Sequence, residues 1–460
     1  MPFNSIDFAI FLPIVFMLYW SLNKNLRLQN LFIVVASFVF YGWWDAKFLL
    51  LISITILSSY YAARMSKNGN KLPFITNIIL NFLILGYFKY CNFFIQSFAT
   101  AFSFFGINLD VRPLSIILPV GISFYTFQAI GYSIDVYKKN IEPTKDIISF
   151  FAFVSFFPLL VAGPIERAKN LLPQFCKRRS FEYEKAVDGC RQILCGLLKK
   201  IVVADTCAVE VNNIFSNAAG SSGSTLLLGG VLFAFQIYGD FSGYSDIAVG
   251  VSRLFGINAM KNFAFPYFSR DIAEFWRRWH ISLTTWFRDY IYIPLGGSRC
   301  GAAKQIRNIF IIFLISGFWH GANWTFILWG FGHAILFLPL LLAKSNRKNM
   351  NNASLKDIGK IACTFLLISF MWLFFRAENI VQLWHILNNI FSFSLFSFPS
   401  LVPKKAIAFS SILFILEWFA RDKNHALEKP RKWYFYYILL IFIWYCAISN
   451  KPQAFIYFQF

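Results

Sequence analysis

Long apolar runs recur along the whole chain, near 8–22, 29–44, 48–63, 73–90, 114–136, 185–206, 222–239, 306–319, 324–343, 361–375, 405–420 and 432–449. A helix needs about 20 apolar residues to cross ~30 Å of hydrocarbon, and most of these runs are that long or slightly shorter. Lipid offers no water to satisfy backbone amides, so a spanning segment must satisfy them within itself, as a helix does. The strict alternation of an outer-membrane barrel strand is absent from these runs. The expectation is an all-α polytopic membrane protein of roughly eleven spans.

Composition agrees: 57% of the residues are hydrophobic and only 14% charged, where soluble domains carry about 25% charged residues. The net charge of +21 would point a soluble protein toward nucleic acid. Here the basic residues fall mainly in short loops, where they set topology and meet anionic headgroups. Membrane lipid is therefore the expected partner and nucleic acid is not. A second reading has some of these cations holding a polyanionic cytosolic ligand. The opening "MPFNSIDFAIFLPIVFMLYW" lacks a basic n-region and a small-residue cleavage site, so it reads as a span and not as a cleavable signal. Lys24 and Arg27 follow it, and Arg64, Lys67 and Lys71 come two spans later, which puts the N-terminus outside. The cysteines, at 91, 176, 190, 195, 207, 300, 363 and 446, show no metal-type spacing and read as small buried hydrophobes.

No internal repeat or long linker interrupts the chain, so residues 1–460 read as one integrated transmembrane domain, with 344–358 as its most polar loop. Simple alternation of sides fails once. Lys138, Lys139 and Lys145 precede the apolar stretch 147–162, and Arg167, Lys169, Lys177, Arg178 and Arg179 follow it. A re-entrant segment turning at Pro158 and Gly163–Pro164 keeps both basic loops cytosolic. Non-helical backbone at that depth needs protein or a water-filled cavity around it.

Two stretches carry candidate chemistry. In "SRDIAEFWRRWHISLTTWFRDYIYIPLGG" (269–297), Ile272, Phe275, Trp276, Trp279, Leu283, Trp286 and Tyr290 recur at helical steps. Asp271, Glu274, Arg278, Ser282, Thr285 and Asp289 take the other side, and Ser269 or Asp271 can cap the start. The expectation is one amphipathic helix lying in the interface or against a polar cavity, with His280 at the edge of its apolar face. The second stretch, "SGFWHGANWTFILWG" (316–330), sets His320 between Gly317 and Gly321 in strongly apolar surroundings. Glycines let another backbone or a ligand approach, and an ionisable group inside the membrane is a functional candidate by default. A histidine hydrogen-bonded to a carbonyl is the plainer alternative. His333 reads as structural, and His385 and His425 as peripheral. Neither His280 nor His320 has a carboxylate or thiolate at ligand spacing, so no metal is expected. Asp240 and Asp246, in "YGDFSGYSDIAVG" (238–250), read as a helix break lining the same cavity, or as buried acids paired with Arg or Tyr.

The pair "FWRRWHISLTTWFRDYIYIPLGG" and "SGFWHGANWTFILWG" resembles the membrane-bound O-acyltransferase superfamily. "LPVGISFYTFQAIGYSIDVYKK", "VAGPIERAKNLLPQF", "DFSGYSDIAVGVSRLFGI", "MWLFFRAEN" and "YGWWD" narrow the likeness to the bacterial alginate O-acetyltransferase type. The resemblance covers almost the whole chain and is strongest over 118–380. It implies a ring of tilted helices, with re-entrant and interfacial helices, around a thinned centre and a central tunnel. It implies an acyltransferase of the bacterial cytoplasmic membrane that moves an acyl group from a cytosolic thioester toward an acceptor outside. The essential histidine of the family's W-H-G motif maps onto His320, and a second family histidine, in the R-W-H-I/M-S motif, maps onto His280.

The implied chemistry is reasonable for these side chains. A thioester is already activated, so a base for the incoming hydroxyl and a geometry for both substrates are what remain. Imidazole titrates near working pH. His320 is thus the expected general base or acyl-handling group, and His280 the group that polarises or positions the thioester. If the donor is acetyl-CoA, its phosphates call for cations, and Arg277, Arg278 and Arg288, or Lys177 to Arg179, are candidates. Trp276, Trp279, Trp319 and Trp324 are candidate tunnel walls that keep water from the thioester, with Asn323 and Asp240 as further candidate substrate contacts. No cofactor is expected to be permanently bound, since acetyl-CoA or an acyl-carrier thioester is a donor substrate. A separate periplasmic acetyltransferase of SGNH type is the implied partner. Two alternatives remain open at this point: D-alanyl transfer from a carrier protein to teichoic acid, and a non-catalytic transporter of a lipid-linked sugar.

Overall fold

Each apolar run of the sequence carries helix, and no strand occurs among the described residues. The structure, a computed structural model, describes residues 1–103, 105–109, 111–161, 163–348, 351–449 and 453–456. Among these, Phe48–Ser66, Lys71–Ser103, Gly223–Leu254, Trp324–Leu342 and Leu355–Arg376 are long and apolar enough to cross a membrane. Ile6–Ser21, Leu26–Gly42 and Trp433–Ser449 are shorter apolar helices. Two compact units can be traced, 1–182 with 252–259, and 183–251 with 260–460.

In the first unit, α1 (Ile6–Ser21) and α2 (Leu26–Gly42) begin at Ser5 and Asn25, whose side-chain oxygens accept from the first helical N–H groups. They are followed by α3 (Phe48–Ser66), α4 (Lys71–Leu85) and α5 (Cys91–Ser103), the last two joined by a π-turn over Gly86–Tyr90. Their polarity is inverted relative to a soluble helix. Ile6, Ile10, Ile14 and Met17 of α1 are exposed, whereas Gln29, Asn30 and Ser37 of α2 are buried. The buried amides are used: Asn30 Nδ2 donates to Ser149 Oγ and to the Phe175 carbonyl, and Arg179 donates to Gln29 Oε1 and Asn30 Oδ1. An apolar outside with hydrogen-bonded polar groups inside is the arrangement of helices whose solvent is lipid.

After α6 (Ile122–Tyr137), the stretch expected to re-enter forms α7 (Ile147–Ser155) and α8 (Phe157–Leu160), then α9 (Ala168–Phe175). With 9 residues, α7 is far too short to cross the hydrocarbon alone. The chain turns at Phe156 (ψ 107°), slightly before the expected Pro158. Proline has no N–H with which to continue α7, so it is accommodated in the first turn of α8 instead.

The second unit opens with α10 (Tyr183–Leu197), a π-turn over Leu198–Ala204 and α11 (Asp205–Ser216). The π-turn presents two consecutive buried lysines to α12 (Gly223–Leu254). Lys199 Nζ lies 2.9 Å from Asp246 and 2.8 Å from Glu417, and Lys200 Nζ lies 2.9 Å from Asp205 and 2.7 Å from Asp240. The helix break expected around Asp240 and Asp246 is therefore corrected: α12 runs unbroken through both. Side-chain ion pairs satisfy the acids without opening the backbone. The small residues serve close packing, since a Cβ on Gly243 would stand 2.8 Å from the Gly196 carbonyl oxygen.

The unit continues with α13 (Ile272–Arg278), α14 (Ile281–Phe287), α15 (Ala302–His320), α16 (Trp324–Leu342), α17 (Ile358–Arg376), α18 (Ile380–Ile390), α19 (Lys404–Phe419) and α20 (Trp433–Ser449). His425, expected at the periphery, is buried, with Nε2 3.1 Å from Asp188 Oδ1. A partner distant in sequence drew it inward, which local polarity does not reveal. His385 is exposed, as read. Of the cysteines, 195, 207 and 446 are buried as expected, while 176, 190 and 363 are exposed.

Candidate functional site

The stretch expected to form one amphipathic helix is two. Asp271 caps α13 by accepting from the Glu274 N–H, and buried Glu274 grips Arg270 at 3.0 Å and Arg278 at 2.8 Å. The helix then stops. Trp279 is extended, and His280 adopts φ 44°, ψ 53°, a left-handed conformation costly for a residue with a bulky side chain. The preceding loop takes over the hydrogen bonds the helix gives up: the Ala264 N–H donates to the Arg278 carbonyl, and the Ile281 N–H to the Asn262 carbonyl. Residues 262–264 thus bridge the break on both sides. Helical periodicity predicts continuity here because it cannot register a competing strand of backbone from outside the helix.

The break turns His280 inward and leaves it fully buried. Its ring packs 4.7 Å from Phe241, 5.8 Å from Trp319 and 6.4 Å from Phe263. Its Nδ1 is 3.1 Å from Asn262 Oδ1.

His320 is the last residue of α15. α15 and α16 approach so closely that a Cβ on Gly317 would stand 2.2 Å from the Phe326 carbonyl oxygen. The glycine beside the histidine thus admits a second backbone. Asn323 caps α16 by accepting from the Thr325 N–H, while its Nδ2 donates to the Glu378 carbonyl at 2.7 Å. That fixes the turn after His320. The imidazole is 3% exposed, and packs 4.8 Å from Trp319, 5.2 Å from Trp329 and 5.3 Å from Phe375.

The structure brings His280, His320, Trp276, Trp279 and Trp319 into one aromatic cluster. Trp276 lies 5.6 Å from Trp329, and Trp279 lies 5.0 Å from Trp372. Trp324 stands half exposed at the start of α16. Arg277 is half-buried and donates to the Asn346 carbonyl in the polar loop. Burial pulls its guanidinium below the usual value, partly offset by Asp271 and Glu274. Arg278 is tied to Glu274, and Arg288 is exposed and paired with Asp289 at 2.8 Å. Lys177 and Arg178 are exposed, whereas Arg179 is a buried structural cation. The Asp240 carboxylate is engaged by Lys200 and by the Ile456 N–H.

Neighbours of the histidines that escaped the sequence reading include Phe241, Asn262, Phe263, Trp329 and Phe375. Trp329 touches His320 and, at 4.8 Å, His333, so one indole joins histidines of two helices. Only a contact across elements marks these residues out; their local sequence is ordinary apolar helix or loop.

Residues 138–383 match the model of the MBOAT, membrane-bound O-acyltransferase, family. A probable alginate O-acetylase, AlgI, of Pseudomonas aeruginosa is 40% identical over 85% of this chain and 75% of its own length. The peptidoglycan O-acetyltransferase of Helicobacter pylori is 36% identical over 83% of this chain and 77% of its own. The teichoic acid D-alanyltransferase of Bacillus subtilis is 26% identical over 73% of this chain and 87% of its own. The matched stretch holds both histidines and the rings around them. This multi-pass membrane protein belongs to the membrane-bound O-acyltransferase family.

Proposed function

We propose that this protein transfers acetyl groups from a cytosolic thioester, acetyl-CoA, for O-acetylation of an extracytoplasmic polysaccharide. It would sit in the bacterial cytoplasmic membrane and hand the group to a separate periplasmic acetyltransferase of SGNH type. The observation that supports this most is the meeting of His280 and His320 on one indole, Trp319, inside a cluster lined by aromatic rings. The identities to an alginate O-acetylase and a peptidoglycan O-acetyltransferase favour acetyl over D-alanyl as the cargo.

The chemistry follows from the residues. A hydroxyl is a poor nucleophile until its proton is taken, and His320 is the group assigned to take it. The hydroxyl oxygen attacks the thioester carbon, the C–S bond breaks, and the departing thiolate receives the proton. His280 positions the thioester. The enclosing rings exclude water, which would otherwise compete as the acceptor. Both imidazoles are enclosed, so an acyl carrier reaches them only as neighbouring rings part. Trp319 contacts both and is the side chain placed to move. Arg277 and exposed Arg288 are the candidates for the carrier's phosphates.

The test is CoA release and label transfer from radiolabelled acetyl-CoA by the purified full chain. His320→Ala is expected to lose nearly all turnover while folding and inserting normally. Unchanged turnover would remove His320 from the chemistry. Labelled D-alanine accepted from a carrier protein in place of acetyl-CoA would favour the D-alanyl reading.

A further inference from the structure

We propose that Asn262 is a positioning residue that locks His280 in the tautomer protonated at Nδ1, which leaves Nε2 as a hydrogen-bond acceptor. The inference rests on the reading of His280 as a site histidine, and it narrows what that histidine can do.

The Asn262 amide meets the ring through its oxygen. The Ser282 backbone N–H can only donate, and it points at Asn262 Oδ1 from 3.4 Å. The Ser282 hydroxyl donates to the same oxygen at 2.9 Å, and Nδ2 on the other side donates to Ser245 Oγ at 3.1 Å. The atom 3.1 Å from His280 Nδ1 is therefore a carbonyl oxygen. An unprotonated Nδ1 would set its lone pair against that oxygen's lone pairs. The Ser282 hydroxyl, 3.4 Å from Nδ1, would not relieve this, because its single proton is already directed at Asn262. Nδ1 must carry the proton, and the neutral ring then has its lone pair at Nε2.

The backbone reinforces the arrangement. The Asn262 carbonyl accepts from Ile281, immediately after the left-handed His280, so one residue holds both the strained main chain and the ring. Strain of this kind persists only where the surroundings over-determine it, and it concentrates at functional sites.

The consequence is chemical. A neutral His280 protonated at Nδ1 cannot polarise a thioester carbonyl, because that needs an N–H at Nε2. It accepts instead, from an N–H or O–H of the acyl carrier or the acceptor. Of the two roles considered for His280, polarising and positioning, this tautomer supports only the second, unless the ring itself takes the proton of the attacking hydroxyl.

The test uses the full chain in lipid, labelled with 15N-histidine. The two ring nitrogens are read by their shifts, and His280 is assigned by the signals lost in His280→Gln. Wild-type protein is expected to carry the proton at Nδ1, and Asn262→Leu to shift population to the other tautomer. CoA release from acetyl-CoA should fall about 10- to 100-fold in Asn262→Leu, as when outer partners of ligating histidines are removed. Asn262→Asp, which keeps an oxygen acceptor, should recover most of the loss. A proton found at Nε2 in the wild type overturns the proposal, and that measurement requires no variant of Asn262 to fold. So does an unchanged rate in Asn262→Leu when His280→Ala is inactive. Full activity in His280→Ala would instead overturn the underlying reading of His280, leaving the tautomer to stand or fall on the spectra.

Discussion

His280 and His320, far apart in the chain, pack against the same indole: the Trp319 ring lies 5.8 Å from the first imidazole and 4.8 Å from the second. One histidine sits at a break between two short helices and the other at the end of α15. Trp319 thus packs against both imidazoles.

That position makes Trp319 a test of water exclusion. Trp319→Ala opens space between the imidazoles, and CoA release without label transfer should rise relative to productive transfer. Trp319→Phe keeps an apolar ring and should stay closer to wild type. Equal coupling in both variants, measured with labelled acetyl-CoA, would show that the indole does not shield the thioester.

The α15–α16 contact has no room for a methyl group. In Gly317→Ala the new Cβ would meet the Phe326 carbonyl oxygen, which is backbone and cannot swing aside. Separating the helices should cost about 1–3 kcal/mol of stability. It should also lower turnover, because His320 is carried on the displaced helix end. Thermal unfolding in detergent and CoA release check the two effects.

Asp240 provides the opposite case. Asp240→Asn leaves Lys200 with half its carboxylate partners in a buried setting, a change that costs about 3–5 kcal/mol when a buried pair is broken. Adding Lys200→Met should not recover that stability, because it leaves the buried Asp205 carboxylate without its cation. Turnover per folded molecule should change little. A raised KM for acetyl-CoA in a well-folded Asp240→Asn protein would instead make this acid a substrate contact.

His333 is buried among Trp276, Phe313 and Trp329, and neither ring nitrogen finds a hydrogen-bond partner among the described residues. His333→Phe should therefore be neutral or slightly stabilising, since it replaces an unsatisfied polar ring by an apolar one of similar shape. Turnover should survive. Loss of activity with unchanged melting temperature would bring His333 into the reaction.

The sequence by itself determined the helices, the cap and one short segment. Their causes are local or periodic: lipid demands apolar runs, Asp271 meets an N–H three residues away, and Pro158 cannot continue α7. It also marked His280 and His320 as a pair through their motifs. The tertiary structure alone decided the break at His280, because residues 262–264 compete for hydrogen bonds that periodicity assigns to the helix. It likewise decided that Asp240 faces Lys200, that His425 goes inside against Asp188, and that the Asn262 amide oxygen lies beside the His280 ring. Each of these depends on a partner remote in the chain, and a hydrogen bond or ion pair between distant residues leaves no periodic trace in either one's surroundings.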